Sequence, residues 1–267
     1  MAPKESRYTL ARDDADKRDL IYSAGPADRL HQLPPQVDLR KTCPPVLNQG
    51  RIATCTAHAI AAAFAYEQRV QNIRPITPSR LFIYYNERAL TGQPGLNCVV
   101  RLRDAIKATA KMGVCPEHMW PYSEDTRILQ KTPPKHVFHA AKSRKLVAYH
   151  RIPMRTDKPK VFLKHLKHCL AEGHPFVFGF IVYESFEKNV RGTWKSGVMP
   201  VPKPHVDKSK GGHAVMAVGY DDRRKAVLVR NSWGPKWGLD GHFRMPYKVI
   251  TDPRFAFDFW TIRGVTG

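Results

Sequence analysis

The chain has 267 residues, a formal net charge of +21, and 42% hydrophobic and 10% aromatic side chains. That is enough apolar material for one large domain or two small ones around a packed core, and it excludes a disordered chain. No run of eighteen apolar residues occurs, which excludes a membrane-spanning helix, and the N-terminal Met-Ala-Pro-Lys-Glu-Ser-Arg lacks the apolar centre of a signal peptide.

Residues 1–32 are polar and charge-mixed, with Asp13, Asp14, Asp16 and Asp19 interleaved with Arg12, Lys17 and Arg18. Beyond Leu20, Ile21 and Tyr22 they offer little to bury, so they read as an extension outside the core. Leu33 to Arg40 is expected to be extended, because proline disfavours helix in the residue before it. Cys43-Pro44-Pro45 stiffens the approach to Asn48-Gln49-Gly50. From Cys55 to Gln68 there is no Gly or Pro, and five alanines fall between Ala57 and Ala63. This predicts a helix with Cys55 in its first turn, where free N–H groups and the positive dipole end stabilise a thiolate. Gln49, six residues upstream, offers a side-chain N–H donor beside that nucleophile.

Pro75 and Pro78 break the pattern, and Ser79–Ala89 reads as a short helix. A loop at Thr91–Gly95 leads to a further helix, Val99–Met112, stopped by Gly113. Lys131-Thr132-Pro133-Pro134-Lys135 is linker-like. Beyond it come a strand at Leu146–Ile152, a helix at Lys160–Leu170, and a near-continuous apolar run at Phe176–Val182 that reads as a buried strand. Ala214–Tyr220, Ala226–Arg230 and Phe259–Arg263 are three more strands. Helices first and strands later predict an α+β protein, with an extension over 1–32, a mainly helical part over 33–130 and a mainly β part over 131–267.

The charge is uneven: Arg127 to Lys167 carries twelve basic and one acidic side chain, a stretch that attracts polyanions or acidic partners. Five cysteines without a CxxC pair exclude zinc-finger spacing. Bridges among Cys43, Cys98, Cys115 and Cys169 would allow three connectivities, but without a signal peptide free thiols are expected, as is an intracellular or virion-associated location. His165, His168, Cys169 and His174 invite a metal reading, yet adjacent His168 and Cys169 do not share a helix face, so they read as structural. His58, one turn after Cys55, reads as a local hydrogen-bonding residue, and Asp104 and Glu117 as surface or loop carboxylates.

Two stretches supply further chemistry. Gly211-Gly212-His213-Ala214 opens a strand; its glycines admit a close backbone, and a histidine there is a candidate general base. Asn231-Ser232-Trp233-Gly234 closes another strand. The amide oxygen of Asn231 can accept from one imidazole N–H and hold the ring toward a cysteine, with the Trp233 indole shielding that bond from water. Gln49, Cys55, His213 and Asn231 thus make an oxyanion donor, nucleophile, base and orienter in chain order.

On these blocks, with Pro35-Gln36-Val37-Asp38-Leu39-Arg40 before them and Cys115-Pro116-Glu117 and Trp120-Pro121-Tyr122 between, the chain resembles the papain-like cysteine peptidases from Leu33 to about Arg263, in a divergent microbial or viral form. The resemblance implies a two-lobed fold with the helical lobe first, a β-barrel-like lobe second and a cleft between, and peptide hydrolysis through a Cys55–His213–Asn231 triad without metal or organic cofactor. It implies a polypeptide substrate contacted by Gly212, Ala214, Met216 and Trp233, with Phe255 to Asp258 closing the far end of a side-chain pocket. Residues 1–32 occupy the place of the family's inhibitory propeptide, though without its long helical pattern. The chain departs from the family at Ile52, where a disulfide-forming cysteine is usual, at Thr54, where serine is usual, and at Thr56, where tryptophan is usual. A basic nucleic-acid or acidic-partner binding protein on the same fold, and acyl transfer to an amine by the same residues, are the alternatives.

Overall fold

The computed structural model describes residues 8–23, 33–95, 98, 100–188 and 193–267. Alanines and large apolar residues alternate around every side of α1 (Cys55–Val70), so no face of it suits water. Cys55 through Gln68 are all buried. The short helices α2 (Arg80–Leu90) and α3 (Leu102–Met112) cover one side of α1, and a sheet covers the other. α4 (Lys135–Ala141) follows, beginning directly after Pro133-Pro134.

The sheet contains β1 (Gln36–Asp38), β2 (Leu146–Ile152), β3 (Phe176–Tyr183), β4 (Ser209–Asp221), β5 (Ala226–Arg230), β6 (His242–Pro246) and β7 (Ala256–Val265). Its order is β2-β7-β3-β4-β5-β6, with β1 also on β4, and neighbours are antiparallel. Strand periodicity divides the core in two. Val177, Ala214, Met216 and Val218 face α1. Phe176, Phe178, Phe180, Val215 and Ala217 point the other way, toward α5 (Pro159–Ala171) and the remaining strands. There Phe178 stacks on Phe259 with centroids 5.2 Å apart. Both faces of β3 are therefore apolar, which explains its unbroken hydrophobic run.

The chain has the α+β fold expected, with boundaries that move for physical reasons. β4 runs through Gly211 and Gly212, which pair with Val182 and Ile181. β6 gives no strand pattern in the sequence because Arg244 and Pro246 interrupt its apolar residues, and α4 forms where Pro133-Pro134 predicts a linker, since proline is well suited to a helix start. α3 begins at Leu102, whereas Val99 lies outside the described residues. In the N-terminal extension Leu20 and Ile21 are exposed, while Tyr22 and Leu10 are buried. Residues 1–7 and 24–32 lie outside the described residues.

Candidate active site

Each candidate side chain is delivered by a different element. Cys55 is the first residue of α1 and fully buried. Its sulfur lies within hydrogen-bonding reach of the backbone N–H of Ala214, the residue after His213 on β4. Burial pushes the Cys55 thiol up to about 12, and the Ala214, Thr56 and Cys55 backbone N–H groups oppose that rise. In this state the sulfur is a protonated thiol at neutral pH.

His213 Nε2 lies 2.8 Å from Asn231 Oδ1. The same oxygen accepts the backbone N–H of Ser232 at 2.8 Å, so it acts as an acceptor and Nε2 is the donor. In the neutral ring Nδ1 is then the basic nitrogen. Trp233 lies over the imidazole with centroids 5.1 Å apart and planes 29° from parallel, and Phe180 meets it edge-on at 5.7 Å. These rings keep water from the His213–Asn231 bond.

Gln49 is fully buried. Its Oε1 accepts from the Ser232 hydroxyl at 2.6 Å and its Nε2 donates to Ile52 O at 3.1 Å. One amide N–H is thereby used and the second remains available to a ligand. The Gln49 backbone N–H donates to Ser232 O, so the loop ahead of α1 is tied to the loop after β5.

Where the family usually has tryptophan, Thr56 donates its hydroxyl to Glu87 of α2 at 2.7 Å. Burial raises Glu87 to about 8 against the lowering effect of that bond, so its carboxyl carries a proton at neutral pH. His58 sits one turn further on, with Nδ1 donating to Thr54 O at 2.8 Å and Nε2 accepting from Arg80 at 3.3 Å. Burial, and then Arg80, push it down to about 3, so it is neutral. Glu117 is no loose loop carboxylate: it holds the Arg80 guanidinium and accepts the Tyr122 N–H. The His165–His174 group is dispersed among other partners: His168 bonds Tyr22, Cys169 donates to His174 O, and His174 meets Glu67. All five cysteines are free thiols.

The N-terminal extension crosses this site. Residues 8–11 lie between β4 and the start of α3 as a strap, with Thr9 bridged to Gly212 and Leu10 bridged to Val100. Leu10 N–H donates to Gly212 O at 3.3 Å, and Ala11 N–H donates to Val100 O at 2.9 Å. The glycines permit this approach, since a Cβ at Gly212 would sit 2.2 Å from Leu10 O and one at Gly211 2.4 Å from Tyr8 O. Tyr8 reaches His213 edge-on with ring centroids 6.0 Å apart. The Leu10 side chain and the Phe257 ring fill the space over Gly179. Gly212 is thus the predicted residue nearest the strap, and Trp233 meets Tyr8 at 6.3 Å. Ala214 and Met216 instead turn toward α1 and line a cavity there. Val100 and Gly179 give no signal in the sequence because neither carries a reactive group; only their backbone position matters.

Further along, the strap is clasped by charge. Asp13 accepts from the Arg103 backbone N–H at 3.1 Å and from Trp260 Nε1 at 2.9 Å, while its own N–H donates to Asp258. Asp19 takes a two-pronged contact from Arg103, at 3.0 and 2.6 Å, and a third from Arg151 at 3.1 Å.

A family model described as papain family cysteine protease matches residues 33–252. The peptidase C1-like protein L477 of Acanthamoeba polyphaga mimivirus is 43% identical over 236 residues, which cover 86% of this chain and 74% of that protein. The cathepsin B-like CP2 of Giardia intestinalis is 27% identical over 76% of this chain and 64% of its own length. Among solved structures, xylellain, a cysteine protease from Xylella fastidiosa, superimposes with a TM-score of 0.86 at 41% identity over 97% of both chains.

Proposed function

The chain belongs to the papain family of cysteine proteases, and on that premise we propose that it hydrolyses peptide bonds through Cys55, His213 and Asn231 and is held latent by residues 8–22. The observation that carries the chemistry is the His213 Nε2–Asn231 Oδ1 bond under Trp233, which leaves Nδ1 as the base on the β4 strand beside Cys55. Nδ1 takes the thiol proton as the sulfur attacks the peptide carbonyl carbon. The oxyanion is held by the Cys55 N–H and the remaining Gln49 amide N–H. The tetrahedral adduct then expels the amine, which receives the proton from His213, and a thioester stays on Cys55. Water, losing a proton to His213, attacks that thioester and releases the acid and the free thiol.

Latency rests on the strap. A polypeptide substrate needs the backbone groups of Gly212 and Val100 that Leu10 and Ala11 now use, and burial keeps Cys55 protonated. Exposed basic side chains add to the reading: Arg127, Lys131, Lys135, Lys142, Lys158, Lys160 and Lys164 suit acidic polypeptide segments.

The test is labelling by a thiol-directed epoxide. Chain lacking residues 1–32 should label at Cys55 and cleave peptides, full-length chain should do both slowly, and Cys55→Ala should do neither. Label on another cysteine that survives Cys55→Ala would overturn the nucleophile; equal rates with and without residues 1–32 would overturn the latency.

A further inference from the structure

Behind the catalytic residues lies a cavity of about 90 Å³ between α1 and the β4–β5 pair. None of its lining residues comes from the strap, and although Asn231 and Ser232 bound it, the catalytic reading leaves it without a role. One wall is a row of α1 alanines, Ala59, Ala62 and Ala65, faced by Met216. The other end is cationic. Arg230 lines it and is only 6% exposed. Its guanidinium donates to Pro44 O at 2.6 Å and Pro45 O at 2.5 Å, both uncharged acceptors, with further N–H donors left over.

Among the described residues, Arg230 pairs with no carboxylate. Among the described residues, no Asp or Glu lines the cavity. Groups that feel the Arg230 charge include Cys43, Arg69, His58 and His242. Burial raises the Cys43 thiol to about 11 and lowers His58 to about 3 and His242 to about 4, so all three are neutral at pH 7. Arg80, the other guanidinium at the cavity, is matched by Glu117. Burial, reinforced by Arg69, pushes Arg230 itself down to about 10, which leaves it charged. A buried cation with neutral partners is costly, and an anion that reached it would gain what the protein fails to supply. A water needs roughly 10–15 Å³ of such space, so this cavity exceeds what a bare halide requires.

We propose that this cavity is a binding site for a short-chain monocarboxylate of about four to six non-hydrogen atoms, its carboxylate on Arg230 and its apolar tail along Ala59, Ala62 and Ala65. The site is independent of the catalytic reading, because it is tested by binding alone.

Full-length protein is titrated calorimetrically with butyrate, acetate, chloride and sulfate in turn, and its melting temperature is followed in each. Butyrate should bind saturably with a rise in Tm of about 2–4 °C near saturation, acetate more weakly, and chloride and sulfate without a saturable signal. Arg230→Met should abolish butyrate binding. Ala65→Glu, which places a carboxylate inside the cavity, should melt higher than the parent protein and no longer respond to butyrate. Absence of saturable butyrate binding to the parent protein overturns the proposal, as does binding that survives Ala65→Glu. Chloride binding as tightly as butyrate would overturn the carboxylate class.

Discussion

At the scale of single residues, the site works by dividing hydrogen-bond capacity. Asn231 spends one oxygen on two donors, and that fixes which nitrogen of His213 is basic. Gln49 is braced by Ser232 and Ile52 so that its amide plane cannot turn. Removing that donor in Gln49→Ala, in chain freed of residues 1–32, should lower kcat by about 10²–10³ with KM little changed, because the bond strengthens as charge develops on the oxygen. Steady-state kinetics on a peptide substrate check this. Glu87 offers a pH test. Its folded-state pKa of about 8 lies above the unfolded value, so its contribution to stability is fully present below the unfolded pKa and lost as pH rises through about 8. Glu87→Gln keeps an acceptor for Thr56 and cannot ionise. Melting temperatures of the two proteins should therefore lie closest below about pH 4.5, diverge as pH rises from there to about 8, and differ by a constant amount beyond it, with the variant higher at the alkaline end.

At the scale of elements, the strap is the part whose energetics decide behaviour. Two backbone rails, Gly212 and Val100, hold Leu10, and a separate clasp holds the acidic stretch that follows. Within the clasp, Asp19 matters most, because its side chain is buried between the Arg103 and Arg151 guanidiniums. Asp19→Ala takes the carboxylate from the buried Arg103 and leaves Arg151 with Asp258 alone, a loss of about 3–5 kcal/mol for breaking a buried pair. Full-length Asp19→Ala should label with the epoxide at least tenfold faster than the parent, while chain lacking residues 1–32 sets the ceiling. An unchanged labelling rate would place the latency in the Leu10 rails alone. The glycines give the converse test. Gly212→Ala puts a Cβ against Leu10 O, and it should loosen the strap without touching Asp19.

At the scale of the whole molecule, charge is partitioned. Asp14, Asp16 and Asp19 of the extension pair with Arg101, Lys107, Arg103 and Arg151, so part of the positive surplus is answered inside the chain. Among the described residues, the exposed Lys135, Lys142, Lys160 and Lys164 of the Arg127–Lys167 stretch form no ion pair. Cleavage of an acidic peptide by chain freed of residues 1–32 should therefore show a KM that rises several-fold between 50 and 300 mM salt, while a neutral peptide of the same length should not. Equal salt dependence for both peptides would remove these basic side chains from substrate recognition.

Local sequence was sufficient for a good deal of this. α1 and its first-turn cysteine follow from an uninterrupted alanine-rich run, β2 and β5 from apolar runs ended by turn residues, and the four catalytic candidates from side chains whose chemistry is legible wherever they lie. β6 stayed hidden because neighbours on the sheet, not its own pattern, make it a strand. Val100 and Gly179 stayed hidden because what they contribute is backbone and space. The tertiary structure alone decided that Leu10, in a stretch that looked unable to bury anything, crosses the site, and that Arg230 ends in a cavity without a carboxylate. Both are consequences of residues far apart in sequence meeting in space, and the free energy of a buried contact depends on its partner, which no local pattern records.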